Sequence, residues 1–187
     1  MAYSYGTDEW VEKYVEMAQQ RLASEKKPYI LATPEWVATY EKLMREDDIW
    51  SDAAQDWEGS VALCILANEE VGINENLYMF MDLWHGVCHS IRLVPKDAGE
   101  AANFVIAAQY DIWKSVIAKE LDVVKGMMQG KLTLDGELAA VVRGAKAFAR
   151  GVDLAASIGT RFQGDLSPDE RDKYIAWAQG VREEFGS

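Results

Sequence analysis

Between Leu77 and Val94 the chain reads LYMFMDLWHGVCHSIRLV. Residues 77–84 are almost wholly apolar, residues 90–94 alternate, and His85-Gly86 between them supply the positive-φ position that a tight turn requires. The stretch reads as a β-hairpin, and it commits the chain to a sheet. A sheet of this kind buries one face under helices. Other strands fit the same plan. SVALCILA (60–67) is a short apolar run bounded by Gly59 and the polar NEEVGINEN. FVIAAQY (104–110) follows a polar loop, PKDAGEAAN, and KLTLDGEL places Leu132 and Leu134 on one face of a brief strand closed by Asp135-Gly136. Strands joined by short polar links pair most simply as antiparallel neighbours.

Helical text flanks these strands. In residues 8–24, Trp10, Tyr14, Met17, Ala18 and Leu22 recur at helical spacing, with acids early and Arg21 late, as the helix dipole favours. Thr33-Pro34-Glu35 is a helix start ahead of Trp36, Val37, Tyr40, Leu43 and Met44, and a short helix is expected over 49–57. Asp111 is expected to cap a helix carrying Ile112, Val116, Ile117, Leu121 and Val124, stopped by Gly126 or Gly130. One amphipathic helix is expected from Glu137, with Leu138, Val141, Val142, Ala145, Phe148 and Val152 on one side and Arg143, Lys146 and Arg150 on the other. Ser167-Pro168-Asp169-Glu170 is a capping box with proline at the first helical position, which starts a last helix.

Of the 187 residues, 49% are hydrophobic, enough for one domain with a real core. The net charge of −12 argues against a nucleic-acid or anionic-membrane partner held by phosphate attraction. Two cysteines are too few for a disulfide framework, MAYSYGTDEWVEKY lacks the pattern of a secretion signal, and no apolar run approaches a membrane span. The expectation is a cytoplasmic protein with no stable membrane insertion.

His85, Cys88 and His89, with Asp82 or Cys64 nearby, raise the question of a metal site or a Cys/His nucleophile. No Cys-x-x-Cys or His-Glu-x-x-His pattern reinforces either, and a turn with core cysteines is the simpler reading. A histidine at a tunnel mouth, meeting a ligand's polar head, is the milder alternative. Glu46-Asp47-Asp48 and Glu69-Glu70 read as solvated faces among 31 acidic residues. Neither a Gly-x-Gly-x-x-Gly nor a Gly-x-Ser-x-Gly pattern occurs. The stripe Arg143, Lys146 and Arg150 reads as a solvated helix face, with docking of an acidic partner or a lipid headgroup as the sharper alternative.

Three patterns carry a resemblance: MMQGKLTLDGELAAVV (127–142), the run Asn103–Tyr110 leading into Asp111, and the hairpin MFMDLWHG. They resemble the sterol-carrier-protein family, the nonspecific lipid-transfer proteins, over about residues 35–150. Where many members have a Gly-Lys pair in the preceding helix, this chain has Lys119-Glu120. The resemblance implies an α+β (α/β) domain with a five-stranded, mainly antiparallel sheet covered by helices. It implies a core over 34–154, an N-terminal helical extension over 1–33 and a C-terminal helix over 165–187.

With that fold, the helices can stand slightly away from the sheet and leave a tunnel. An apolar ligand gains about 0.8 kcal/mol per CH2 removed from water, without any polar contact. The expected ligand is a fatty acid, acyl-CoA, sterol or isoprenoid lipid, with no cofactor and no metal. The expected wall has Leu63, Ile65, Met79, Met81 and Leu83 on the first strands. It continues through Ile106 and Trp113, then Met127, Met128, Leu138, Val142 and Phe148. Alternation puts Met79, Met81 and Leu83 on one face and Tyr78, Phe80 and Trp84 on the other, and leaves open which is inward. The helix from Glu137 is the expected lid. Alternatives are an enzyme with His85 or His89 as acid/base, or an accessory subunit that docks a protein partner through its terminal helices; a homodimer is compatible with either.

Overall fold

A computed structural model describes residues 2–187; Met1, the first residue of the expected N-terminal extension, lies outside them. In chain order the elements are α1 (Asp8–Ser24), β1 (Tyr29–Ile30), α2 (Pro34–Arg45), α3 (Asp48–Ala53), β2 (Val61–Ile65), β3 (Leu77–Trp84), β4 (Val87–Val94) and α4 (Lys96–Glu100). There follow β5 (Phe104–Ala108), α5 (Tyr110–Ile117), α6 (Val123–Met128), β6 (Thr133–Asp135), α7 (Leu138–Arg143), α8 (Ala145–Ser157), β7 (Thr160–Arg161) and α9 (Pro168–Phe185).

The five-stranded sheet has the order β4-β3-β2-β5-β6. Its pairs are antiparallel except β2 with β5, which run parallel. The parallel pair arises because the chain leaves the edge strand β4 and must cross back over the sheet. α4 makes that crossing on the face that carries Tyr78. There Gly99 is required by contact, since a Cβ would lie 2.4 Å from the Tyr78 ring. The expected polar loop PKDAGEAAN is therefore partly this short helix.

The hairpin turn has His85 at φ 45° and Gly86 at φ 75°, the two positive values that a type I′ turn needs. Asp82 pairs with Ser90 and Leu83 with Cys88, so His89 is the extra residue of a β-bulge. Of the two faces of β3, Met79, Met81 and Leu83 are buried beneath the helices, while Asp82 and Trp84 are exposed. Methionines and leucines, not aromatics, therefore form the inner floor.

β4 would present an open edge, but α1 and α2 cover it. The Leu93 N–H donates to the Tyr14 hydroxyl at 2.9 Å, and the Ile91 N–H to Glu41 Oε2 at 2.7 Å. Arg45 donates to the carbonyls of Cys88 and His89. These partners satisfy main-chain groups that would otherwise invite another strand.

Two helices expected as continuous are broken. The helix expected from Asp111 begins one residue earlier, with Gln109 as N-cap, and stops at Ile117. Lys119 then adopts φ 63°, and α6 restarts under an Asp122 cap whose carboxylate accepts the Lys125 N–H. The helix expected from Glu137 divides into α7 and α8 at Gly144, where a Cβ would stand 2.9 Å from the Trp57 ring. The capping box of α9 forms as expected from its sequence.

The chain ends are tied to one another. β1 and β7 form a two-stranded parallel pair that the sequence did not announce. Arg21 grips the buried Glu35 carboxylate with two bonds of 3.0 and 2.8 Å, and its guanidinium lies 4.5 Å from the Trp177 ring centroid. α1, α2 and α9 thus meet at one side chain.

A candidate apolar cavity

The inner face of the sheet and the helices over it enclose two small cavities in series. The first, about 60 Å³, has Leu63, Ile65 and Met79 as floor and Trp36, Trp113 and Val152 among its walls. The second, also about 60 Å³, lies toward the hairpin end between Met81 and Leu83 on the sheet and Trp50, Trp57 and Phe148 above. Tyr40, Leu63 and Val152 line both. By register Leu63 lies between Met79 of β3 and Ile106 of β5, at the middle of the sheet.

Three polar side-chain groups around this space are occupied. The Tyr40 hydroxyl donates to the Gly151 carbonyl at 3.2 Å, the Trp36 indole N–H to Thr160 Oγ1 at 2.8 Å, and the Trp113 indole N–H to the Cys64 carbonyl at 2.8 Å. Burial raises the Tyr40 phenol well above its ordinary value, which keeps it neutral. No charged side chain lines either cavity, so anything held there is held chiefly by shape and desolvation.

Of the twelve side chains expected as lining, Leu63, Ile65, Met79 and Trp113 face the first cavity, and Leu63, Met81, Leu83 and Phe148 the second. Ile106 is fully buried in the floor without facing either. Met127 is partly buried against the core, and Met128, Leu138 and Val142 are exposed on the surface. Sequence reasoning did not include Leu31, Trp36, Tyr40 and Val152. Their helical spacing was visible for the last three, but nothing local shows that α2 lies across the same floor as α8.

The histidines stand away from this space. His85 Nδ1 is 2.9 Å from the Gln55 carbonyl oxygen and Nε2 is 3.0 Å from Glu58 Oε1, out on the turn. His89 is exposed in the bulge. Burial pushes the Cys88 thiol up to about 12 and also raises the Cys64 thiol, the reverse of nucleophile activation. Among the described residues no three His, Cys, Asp or Glu side chains converge as metal ligands. Arg150 leaves the expected basic stripe and pairs with Asp47, at 3.0 Å from its Nε.

A sheet floored with Met and Leu, roofed by helices and lacking converging polar groups defines an α+β domain of the lipid-binding class. The chain belongs to the SCP-2 sterol transfer family, whose family model matches residues 40–148. A crystal structure of sterol carrier protein 2 is 33% identical, with a TM-score of 0.60, over 65% of this chain and 94% of that one. A solution structure of a conserved hypothetical protein of Thermus thermophilus, linked by name to sterol carrier protein, is 31% identical. Its TM-score is 0.64, over 74% of this chain and 96% of the other. No curated protein matches the sequence. The family match leaves out α1, β1, β7 and α9. No helix of the described residues is long and apolar enough to cross a membrane.

Proposed function

We propose that this protein binds and carries a hydrophobic small molecule, of the fatty acid, acyl-CoA, sterol or isoprenoid type, in the layer between its sheet and α2, α5 and α8. The observation that carries the reading is the pair of apolar cavities joined through Leu63, Tyr40 and Val152. Ligand pockets occupy roughly 300–1,000 Å³, so two spaces of about 60 Å³ must merge and widen to take a lipid. The floor is a hydrogen-bonded sheet, so the roof moves. α2, through Tyr40, and α8, through Val152, roof both cavities; α8 is the moving element of this reading, and it replaces the longer lid expected from Glu137.

With no charged side chain in the lining, the cavity takes the apolar tail and a polar head stays at the surface. The terminal helices then act as a clasp: α1 and α9 close on α2, and Leu31 beside β1 walls the first cavity. A reading with His85 or His89 as acid/base has no histidine at the cavity. Organic extraction of gently purified protein followed by mass spectrometry tests the proposal. A bound lipid supports it, and its absence together with no uptake of a fluorescent acyl probe at micromolar concentration counts against it.

A further inference from the structure

A third cavity, of about 170 Å³, lies where the link between α5 and α6 meets α8, with Lys119, Asp122, Ala149, Val152 and Asp153 among its walls. It is there because the helical pattern from Ile112 to Val124 breaks: α5 stops at Ile117, α6 starts at Val123, and the link leaves a gap beside α8. Lys119 and Asp122 are exposed, so this cavity faces solvent. Val152 lines it and both inner cavities as well. One aliphatic side chain thus borders the surface and the space over the sheet. α8 is also held unequally along its two edges. Toward α2 and α3, Arg150 grips Asp47 with bonds of 3.0 and 2.5 Å, and the Gly151 carbonyl accepts the Tyr40 hydroxyl. Toward α5 and α6, the one polar tie among the described residues is the Lys119–Asp153 pair at 2.6 Å, with side chains 59% and 39% exposed. Exposed pairs are weak and screened by salt. The Lys119 edge of α8 is therefore the one that opens.

We propose that this surface cavity is the outer compartment of the ligand site: the mouth where the tail passes Val152, and the seat of an uncharged, hydroxyl-type head. The inference rests on the proposed carrying of a hydrophobic molecule, and adds where that molecule enters and which head it presents. Asp122 and Asp153 against Lys119 leave one net negative charge at the mouth, and the Lys119 ammonium is already paired. A hydroxyl donates to a carboxylate and accepts from an ammonium, so it fits without breaking that balance. A ligand carboxylate, or the phosphates of an acyl-CoA, would have to displace Asp153 in a chain of net charge −12. The groove beneath α9 also reaches the first cavity, at Leu77. Leu77, however, is held in the sheet opposite Ile65. A strand paired in a hydrogen-bonded ladder does not swing aside as a helix edge does.

Stopped-flow fluorescence with a pyrene-labelled long-chain alcohol and the matching carboxylic acid tests the inference on the whole chain. At about 0.1 M salt the alcohol is expected to bind roughly tenfold more tightly than the ionised acid. Asp122→Asn/Asp153→Asn, which keeps a capping side chain at the start of α6, is expected to erase that preference. Ala149 is exposed and lines the surface cavity but neither inner one, so Ala149→Trp obstructs the mouth without filling the space over the sheet. It is expected to slow uptake of the alcohol about tenfold or more. Ala178→Trp, in the groove beneath α9, is expected to leave the rate at the parent's value. Equal or tighter binding of the acid, uptake unmoved by Ala149→Trp, or uptake slowed by Ala178→Trp would overturn the inference and leave the carrying of a lipid standing. Parent protein that takes up neither probe would sink both.

Discussion

The indole N–H of Trp10 donates to the main-chain carbonyl of Phe185, 3.0 Å away and 175 positions later in the chain. The Phe185 ring stands edge-on to the Trp10 ring with centroids 6.0 Å apart, and Tyr14 stacks on Trp10 at 5.0 Å while meeting Phe185 edge-on at 5.8 Å. A helix capped by Thr7 and a helix started by Ser167 are thereby locked end to end, outside the segment that the family shares.

Trp10 is buried, so Trp10→Ala removes a large core side chain and costs about 3–5 kcal/mol. Trp10→Phe keeps most of the packing and strands one carbonyl, for about 1–3 kcal/mol. Urea denaturation of the two variants measures the difference. A loss near zero for Trp10→Phe would mean that the clasp is packing alone.

Glu35 is 2% exposed and depends on Arg21 for compensation. Arg21→Ala leaves a buried carboxylate unpaired, and about 3–5 kcal/mol of stability is lost. The double variant Arg21→Met/Glu35→Leu removes both charges and recovers most of that loss. A double-mutant cycle by chemical denaturation checks the recovery.

Lys119 holds φ 63° without being glycine, beside an exposed ion pair to Asp153 at 2.6 Å. The left-handed conformation costs an L-residue about 1–2 kcal/mol, and an exposed pair returns about 0–1 kcal/mol. Lys119→Gly is therefore expected to raise the melting temperature by a few degrees, read by calorimetry. Asp153→Ala is expected to change it little.

The Cys88 thiol is raised by burial from an ordinary value of 9.0 to about 12. A group with a raised folded value contributes its full stabilisation below the unfolded value and loses it as pH rises through the folded one. Stability is thus expected to fall between about pH 9 and pH 12, with part of that fall absent in Cys88→Ala. At neutral pH both thiols, being buried, should resist a thiol reagent until the protein unfolds.

The hairpin, the α9 capping box and the inward burial of α1 were legible because each is written in neighbouring residues: His85-Gly86, Ser167-Pro168-Asp169-Glu170, and Trp10, Tyr14 and Ala18 at helical spacing. The breaks at Lys119 and Gly144 were not. The apolar spacing of Ile112 to Val124 runs on through Lys119, and only the Trp57 ring, 87 positions earlier, explains why Gly144 must be small. The parallel pairing of β2 with β5 and the position of α2 over the floor are long-range facts of the same kind. The strand part of the cavity wall follows from alternation once the inward face is known. The contributions of Trp36 and Tyr40 depend on where a helix comes to rest.

Leu63 is the one floor residue that lines both cavities, and it provides the most direct test of the account. Fluorescence titration of delipidated protein with an acyl probe should show binding at micromolar concentration. Leu63→Trp, which fills the junction at a packing cost of about 1–3 kcal/mol, should weaken it about tenfold or more while the protein stays folded by circular dichroism. No binding by the parent protein, or equal binding by folded Leu63→Trp, would contradict the claim that the lipid is held between the sheet and α8.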